Sequence, residues 1–563
     1  MIGPRSLLLV MILTFAAAGL ASASATNVYT TPNGTATGNC PAGTSAAPNL
    51  TFAQFNSSSS WGSGTSQIGP GTTVLACTGG LYTAPTNTAL LVFQGSGSGP
   101  SSTTATCSSP ITLIMDSNVT FAENAFPFGG AIETNGNSCL VIDGGSGRAT
   151  IENLANGTPG ASGCLNGSCS VQQDSRFVYL SSPSSNITVQ NLTLVDPYVI
   201  QNAGSDSFPA DDGEEGIFFA SGRNNVTINN NLCHDAVICF DGWGSYEQIS
   251  NNEAYNCNRC VTIGPSVISN VNIFGNKIHD FEKWDGNSAY HHDGVHIFPN
   301  GGSDNASNIS IYNNYFYGPG TCCGTAFLYL EGSFSGAMQL FNNLFNFGTL
   351  TNVGVIGGYD GGANSTLSGA VIANNTCIGA VVNANLCYEF NQWLNMTFEN
   401  NIATGNGGLG SYEGGSTFST LNKNAWEDIC TDYGFCNMWG YGGTDIVSFP
   451  AWQSATGGDA NAVFNTLSNL KVSTTTGVLS SGSPLIGAGA NLTSLGIAAL
   501  NTGAPETFGQ DGACGTGCVQ RASSGAWDIG AYPYSSAGPT VTPAPALGMF
   551  AWDWNEDVYE FGR

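Results

Sequence analysis

Short runs in which apolar and polar residues alternate recur along the middle of the chain, and each run ends in asparagine. Typical runs are Val-Thr-Ile-Asn-Asn-Asn at 226–231, Ile-Ser-Ile-Tyr-Asn-Asn at 309–314 and Met-Thr-Phe-Glu-Asn-Asn at 396–401. Alternation with a period of two predicts short β-strands, and asparagine is typical of the turns that end them. No amphipathic pattern of helix length separates the runs, so helical crossovers between the strands are not expected.

The runs return at steps of roughly 20 to 40 residues, which is the signature of a solenoid. Each coil of a solenoid buries its apolar positions against the next coil. The asparagines are then expected to stack inside the coils as a hydrogen-bonded ladder that satisfies the buried turns. The members predicted for this ladder are Asn230, Asn251, Asn313, Asn342, Asn374 and Asn400.

Three further segments carry a resemblance to a known superfamily. They are Ile-Gly-Pro-Gly-Thr-Thr-Val-Leu at 68–75, Ser-Pro-Leu-Ile-Gly-Ala-Gly at 483–489 and Asp-Ile-Gly-Ala-Tyr at 528–532. Together with the asparagine repeat, they resemble the all-β, right-handed parallel β-helix of the pectate-lyase-like superfamily, over roughly residues 110–430. That superfold hosts lyases, hydrolases, epimerases, adhesins and structural spikes, so the resemblance implies the architecture more strongly than the activity.

The chain is predicted to fall into five parts. Residues 1–25 have the short basic start, apolar centre and alanine-rich end of a signal peptide. Residues 26–109 are expected to form an N-terminal cap and the first coils, 110–430 the β-helix, 431–534 a C-terminal capping segment, and 535–563 a linker with an acidic, aromatic tail. These features predict a secreted, extracellular protein without a later membrane span.

Composition narrows the classes of function. The chain has 11 Lys and Arg against 38 Asp and Glu, a formal net charge of −27, which excludes a nucleic-acid binder that works through a basic face. Its 18 cysteines, an even number in a secreted chain, predict disulfides rather than metal thiolates.

Candidate chemistry is concentrated in one part of the repeat, since all five histidines lie between positions 234 and 296. Side chains proposed for catalysis are Asp235, Arg259, Asp280, His292, Asp293 and His296. Side chains proposed for contact with substrate are His234, Trp243, His279, Lys283, Trp284, Tyr290 and His291. Carboxylates and histidines are the usual proton donors and acceptors of enzymes, and aromatic rings stack on the C–H faces of sugars.

Alignment of the coils on the repeat predicts which of these residues are neighbours. One column is expected to hold His234, Tyr255 and His279; a second, Phe218, Cys239, Thr262 and His296; a third, Glu215, Ala236, Arg259 and Asp293. Asp235 and Asp280 are expected two coils apart, about 9.5 Å, a separation that suits inverting glycoside hydrolysis. Insertions at 205–215 and 281–293 are expected to form the walls of a groove over these columns.

Several alternatives stay open. The His234 and His279 column also fits a structural ladder on the surface, and His291, His292 and His296 also fit a metal site. The catalytic motifs of polygalacturonases and pectate lyases are absent, apart from the dipeptide at 293–294.

The acidic charge favours carboxylate-based hydrolysis of an extracellular polysaccharide, with no cofactor required. The alternatives are a lyase or C5-epimerase with a His or Tyr base, in which Arg, Lys or Ca²⁺ neutralises a uronate, and a non-catalytic adhesion or structural protein.

Overall fold

The structure is a computed structural model that describes most of the chain between residues 27 and 534. Its described ranges are 27–45, 47–85, 87–99, 107–156, 174–199, 214–220, 224–280, 292–299, 305–318, 324–347, 354–360, 366–380, 386–405, 408–434, 436–503 and 520–534. The predicted signal peptide, the tail and nearly all of both insertions lie outside these ranges.

Strands dominate the described residues. In the first part of the chain they are β1 Asn27–Thr31, β2 Asn49–Thr51, β3 Thr73–Ala76, β4 Tyr82–Thr83, β5 Leu91–Val92, β6 Ile111–Met115, β7 Thr120–Glu123, β8 Ile132–Glu133, β9 Leu140–Asp143, β10 Ala149–Asn153, β11 Arg176–Leu180, β12 Ser185–Gln190, β13 Leu192–Val195 and β14 Glu215–Phe219. In the middle they are β15 Asn224–Asn229, β16 Leu232–Gly242, β17 Ser245–Ser250, β18 Glu253–Ile263, β19 Ile268–Phe274, β20 Lys277–His279, β21 His292–Ile297, β22 Ala306–Tyr312, β23 Tyr315–Tyr317, β24 Gly324–Gly332, β25 Phe334–Phe341, β26 Leu344–Asn346 and β27 Gly354–Asp360. The last are β28 Val371–Ala373, β29 Thr376–Ala380, β30 Tyr388–Asn391, β31 Met396–Glu399, β32 Ile402–Gly405, β33 Gly410–Glu413, β34 Phe418–Asn422, β35 Ala425–Glu427, β36 Trp439–Tyr441, β37 Thr444–Ile446 and β38 Val463–Asn465. Helices are short: α1 Phe52–Phe55, α2 Ile429–Tyr433, α3 Phe449–Thr456 and α4 Leu467–Leu470.

The strands pair in parallel with the equivalent strand of the next coil. The first ladder is a 14-stranded sheet that runs from β2 to β34. The second ladder contains β4, β7, β10 and β13, continues through the first halves of β16 and β18, and ends at β38. The third ladder contains β5, β8, β11 and β14, then the second halves of β16 and β18, then β21, β24, β27, β30, β33 and β36. The chain is therefore an all-β parallel β-helix.

An asparagine ladder lies inside the coils, one residue later than the sequence predicted. In the central coils, Asn252 accepts hydrogen bonds from the backbone and side-chain nitrogens of Asn231, at 2.9 and 3.2 Å, and donates one to Asn276 at 3.0 Å. The full ladder consists of Asn231, Asn252, Asn276, Asn314, Asn343, Asn375, Asn401 and Asn424, all 0–1% exposed. Each also donates to a main-chain carbonyl of the preceding coil, as Asn252 does to Ile228.

The predicted members are instead the turn residues just before the ladder. Asn230, Asn251, Asn313, Asn342, Asn374 and Asn400 have φ between 53 and 60°, the left-handed region that asparagine tolerates. The left-handed residue forms the turn, and the asparagine that follows it points into the coil. The C-terminal segment covers some of the turn residues: Asn342 donates to the carbonyl of Thr502, and Asn400 to that of Ala490.

The C-terminal end of the ladder meets a tryptophan cluster. Asn424 donates to the buried carboxyl of Asp459, which also accepts from the indole nitrogens of Trp426 and Trp452 at 2.8 and 2.9 Å. Burial raises the pKa of Asp459 although these three side chains donate hydrogen bonds to it. Trp439 stacks on Trp452 at 5.5 Å, so aromatic rings close this end of the apolar interior.

Disulfides join the described cysteines, as predicted, and none of these cysteines is free. The pairs are Cys40–Cys77, Cys107–Cys139, Cys233–Cys239, Cys257–Cys260, Cys377–Cys387 and Cys430–Cys436. Such a set is typical of an oxidising or extracellular environment. Among the described residues, no helix combines the length and the apolar character needed to cross a membrane.

Candidate active site on the third ladder

Two clusters of polar side chains occupy the part of the β-helix where the sequence places its histidines. The first, which we call the corner stack, lies on the second ladder at the bend between the second and third ladders. Its rings are His234, Tyr255, His279 and Tyr317, which pair in register on four successive coils. Their centroids are 4.6, 5.0 and 4.6 Å apart and their planes differ by at most 19°. The predicted column of His234, Tyr255 and His279 is confirmed.

Each histidine of the corner stack is held by the aspartate that follows it. The Nδ1 of His234 contacts Asp235, and the Nδ1 of His279 lies 2.8 Å from Asp280. Both aspartates have positive φ, 58 and 49°, because they form the bend in the backbone. Asn256 has the same conformation on the coil between them and donates to Asp235 at 2.9 Å. Asp235 and Asp280, whose separation was predicted to suit hydrolysis, are thus members of a column of hydrogen-bonded bend residues.

The corner stack also contains an ion pair. Glu253 accepts hydrogen bonds from Lys277 and, at 3.1 Å, from the Nε2 of His279. Burial alone would raise the pKa of Glu253, but the bonds from His279 and Lys277 outweigh it and lower the pKa to about 2. Burial and the nearby Asp235 carboxylate raise the pKa of Asp196, on the preceding coil, to about 7.

The second cluster, which we call the acidic strip, lies on the third ladder. Its central column pairs Phe218, Asp241, Thr262, His296 and Tyr329 on successive coils. The prediction put Cys239 where Asp241 lies. A neighbouring column pairs Glu215, Ile238, Arg259 and Asp293, and here the prediction put Ala236 where Ile238 lies. Both predicted pairings use an offset of 23 residues between β16 and β18, whereas the two strands pair throughout with the offset of 21 that also separates Asn231 from Asn252.

His296 lies between two carboxyl groups that come from different coils. Its Nδ1 is 3.6 Å from Asp293, and its Nε2 is 3.3 Å from Glu331. The side chains of His296 and Asp293 are 3% and 0% exposed, whereas that of Glu331 is 37% exposed. The 3.6 Å distance is within ion-pair range but longer than a hydrogen bond. The three residues form a path from a buried carboxyl group to one at the surface.

The buried end of this path favours the protonated form. Burial raises the pKa of Asp293 well above its ordinary value, and the negative charge of Glu331 adds to the rise. The backbone nitrogen of Ala326, 3.1 Å from the carboxyl, and the positive charge of Arg259 lower the pKa by less. A carboxyl group whose pKa is raised in this way keeps its proton to a higher pH than a free carboxyl group does.

Sequence reasoning missed three members of the acidic strip, namely Glu331, Tyr329 and Glu389. The ring of Tyr329 lies 4.9 Å from that of His296. Burial raises the pKa of Tyr329, and the charges of Glu331, Asp293 and Glu389 raise it further, so all three carboxyl groups are within electrostatic range of its hydroxyl. Between Tyr329 and Glu389 the column contains Gly357, which has no side chain. The sequence did contain a signal for Tyr329 and Glu331, because these polar residues occupy alternate positions in the otherwise apolar run 327–331.

The remaining predicted site residues divide into two groups. His292 is buried at the start of β21, and Trp243 follows β16 with its ring 5.4 Å from that of Phe218. Lys283, Trp284, Tyr290 and His291 lie outside the described residues. Within the described ranges, no three His, Cys, Asp or Glu side chains are grouped so that they could hold a metal ion.

The fold and this strip define a parallel β-helix protein with a carboxyl–histidine–carboxyl arrangement on one outer face. No protein-family model matches the chain. No curated protein matches it either.

Solved structures with similarity to the chain include pectate lyase Pel9A, with 15% identity over 92% of this chain and 98% of that one and a TM-score of 0.40. Another is the GH136 lacto-N-biosidase from Eubacterium ramulus, with 10% identity over 78% and 68% of the two chains and a TM-score of 0.35. A rhamnogalacturonan lyase has 15% identity over 71% and 82%, with a TM-score of 0.26. At these values the comparisons assign no activity, and the description of the fold rests on the strand pairing.

Proposed function

We propose that this chain is a secreted enzyme that hydrolyses an extracellular, uncharged polysaccharide on the acidic strip. The observation that carries the proposal is the position of His296 between the buried Asp293 and the exposed Glu331. Glycoside hydrolysis needs one carboxyl group that donates a proton to the leaving oxygen and a second that activates water or attacks the sugar.

Glu331 is the group in this path that a substrate can reach, because it alone of the three is substantially exposed. We assign it the transfer of a proton to the glycosidic oxygen. His296 and Asp293 are positioning residues behind it. The imidazole orients the carboxyl group, and the raised pKa of Asp293 favours its uncharged form beside Glu331.

Glu389 is the candidate for the second carboxyl group. It stands two coils from Tyr329 in the same column, about 10 Å away along the axis, and Gly357 leaves the space between them free of a side chain. We assign Glu389 the activation of water, the role of the second carboxyl group in an inverting enzyme, in which the two groups stand about 6.5 to 9.5 Å apart.

Charge supports an uncharged substrate over a uronate. The acidic strip contains Asp241, Asp293, Glu331 and Glu389, and Arg259 is the cation that acts on Asp293. A polyanion would be repelled by the ionised members of this set unless a cation such as Ca²⁺ bridged them. A lyase or epimerase with Tyr329 as base and Arg259 as the neutralising group is the second candidate, favoured by their location in one strip.

The test is a product screen with matched variants. The secreted protein is incubated with arabinoxylan, galactomannan, mixed-linkage β-glucan and polygalacturonate, with and without Ca²⁺, and new reducing ends and unsaturated uronate ends are both measured. We expect reducing ends without unsaturated ends. Glu331→Gln and Glu389→Gln should each lower kcat/KM by about 100-fold or more.

Glu399→Gln is the control, because Glu399 is a half-buried carboxyl group on the first ladder, away from the strip. Unsaturated ends would replace the proposal with the lyase. Full activity in both strip variants would place the site elsewhere, and the lack of any product would favour a non-catalytic protein.

A further inference from the structure

We infer that the β-helix has a second carbohydrate-binding region, an aromatic platform that binds pyranose rings of an uncharged polysaccharide. Its contact surface is the exposed ring of Phe128, and the packed rings of Tyr179, Phe218 and Trp243 lie behind it. The platform lies on the N-terminal side of the acidic strip. Its location does not depend on the proposed function, but the choice of occupant does, because the platform is assigned to the same polymer.

Phe128 is the exposed member of the platform. Its side chain is 51% exposed although it precedes strand β8 in a well-paired part of the third ladder. An exposed phenylalanine alone would need no explanation. Here the ring is held in place, because the guanidinium of Arg176 lies 3.6 Å from its centroid. One face of the ring is thus fixed on a cation, and the rest is open to solvent.

Arg176 is itself immobilised. Its guanidinium also lies 3.9 Å from the ring of Phe218, so it is packed between two aromatic rings from neighbouring coils. It forms two contacts with the carboxylate of Glu215, and the two side chains are 7% and 0% exposed. The opposite charges of Arg176 and Glu215 cancel. The ring of Phe128 is therefore a rigid apolar surface that has no net charge behind it. Rigid rings lose little entropy when they bind a ligand.

The other rings form a packed support that leads toward the acidic strip, and Phe218 at its centre is 4% exposed. Tyr179 stacks on Phe218 with centroids 5.7 Å apart, and Trp243 meets the edge of Phe218 at 5.4 Å. Tyr179 and Phe218 belong to the column that continues through Asp241 and Thr262 to His296. Phe218 is three coils from His296, or about 14 Å along the axis. The platform and the strip therefore lie on the same side of the third ladder, and the column that joins them is buried at Phe218, Asp241 and Thr262.

The chemistry of the platform selects its ligand. The C–H face of a pyranose ring is apolar and matches an aromatic surface, and the hydroxyl groups at its rim remain in water. A uronate would gain no ion pair from Arg176, because Glu215 already neutralises that cation. The exposed ring of Phe128 therefore fits a pyranose unit of an uncharged polymer.

The experiment measures binding separately from cleavage. Affinity electrophoresis is run in gels that contain arabinoxylan, galactomannan, mixed-linkage β-glucan or polygalacturonate. We expect at least one uncharged glycan to retard the wild type, and Phe128→Ala to weaken the affinity from that gel about five- to tenfold. Phe128→Trp should preserve it. Tyr433→Ala, which removes a ring that is 48% exposed on the C-terminal cap, is the control and should leave retardation unchanged.

Circular dichroism of each variant establishes that it is folded. If Phe128→Ala does not fold, the test rests on Phe128→Trp, which should bind as the wild type does. The inference is overturned if no uncharged glycan retards the wild type, if Phe128→Ala binds as tightly as the wild type, or if only polygalacturonate shows the effect. Weakened binding in Phe128→Ala together with no cleavage by the wild type would remove the proposed function and leave the platform. Cleavage by the wild type without an effect of Phe128→Ala on binding would overturn the platform and leave the proposed function.

Discussion

The corner stack and the acidic strip both contain histidines, yet their surroundings differ. In the corner stack, His234 and His279 are stacked almost parallel with tyrosines, and each has its Nδ1 on the aspartate next in sequence. In the strip, His296 is tilted by 50° to Tyr329 and faces carboxyl groups from two coils. The first arrangement repeats from coil to coil and satisfies itself. His279 also lies between carboxyl groups of two coils, but Asp280 and Glu253 are only 18% and 16% exposed, and Lys277 forms an ion pair with Glu253. The second arrangement instead keeps one carboxyl group, that of Glu331, 37% exposed.

The difference shows where function can arise in a solenoid. A repeated column stabilises every coil in the same way, so a polar column can be as structural as an apolar one. A substantially exposed carboxyl group beside a buried histidine has no such explanation. The acidic strip has such a group, and the corner stack does not.

The same substitution in the two regions tests this contrast most directly. His296→Asn should lower kcat/KM about 100-fold or more, since it removes the group that orients Glu331. His279→Asn should change kcat/KM by less than about threefold. Kinetics on the glycan found in the product screen provide the measurement, and the pH profile should change for the His296 variant alone. Equal losses of kcat/KM in both variants would indicate that the two regions belong to one active site.

Loss of a ring should affect stability most in the corner stack. Tyr255 lies between His234 and His279, with centroids 4.6 and 5.0 Å away, so Tyr255→Leu should lower the free energy of unfolding by about 2 to 4 kcal/mol. Tyr329→Leu should cost less stability but more activity, because Tyr329 contacts the groups of the strip. Urea unfolding and kcat/KM of both variants decide the point, and a larger loss of stability in Tyr329→Leu would contradict it.

The pH dependence of stability should have opposite signs in the two regions. The pKa of Glu253 is lowered to about 2 in the folded protein, so its contribution is present above its unfolded pKa and is lost as the pH falls toward 2. Glu253→Gln should therefore cost about 1 to 2 kcal/mol at pH 7 and little at low pH.

The pKa of Asp293 is raised, so the folded state holds a proton that the unfolded state releases, and stability falls as the pH rises above the unfolded pKa. Asp293→Asn should be at least as stable as the wild type at neutral pH and lose this dependence. Denaturation midpoints of both variants from pH 3 to 8 provide the measurement. A parallel pH dependence in the two variants would contradict the assignment.

The smallest expected effect concerns the hydrogen bond between Asn256 and Asp235. Asn256→Gly keeps the freedom for positive φ but removes the donor, and it should cost about 1 kcal/mol without a change in activity. Thermal unfolding beside a kinetic assay checks it. A large fall in activity would instead make Asp235 part of the active site, as the sequence suggested.

The sequence predicted the architecture well because the repeat is a property of every coil. It predicted the ladder one residue early, since the left-handed turn at Asn230 and its equivalents cannot be read from the alternation itself. The histidines led to Asp293 and His296 because they are rare. Glu331 and Glu389 were missed because the pairing of Glu331 with His296, and of Glu389 with the column of Tyr329, depends on the number of residues that each coil inserts, and the insertions obscure that count.

The side-chain hydrogen bonds of the asparagine ladder all run in the same direction along the β-helix. From Asn231 to Asn424, each side-chain amide donates to the next coil, so the amide dipoles point the same way and their positive ends face the C-terminus. Aligned dipoles add, and an anion at the positive end is favourable, as at the start of an α-helix. Asp459 is placed at that end. Coils can thus be inserted or deleted along the ladder without an electrostatic penalty, whereas the terminal acceptor has to be retained.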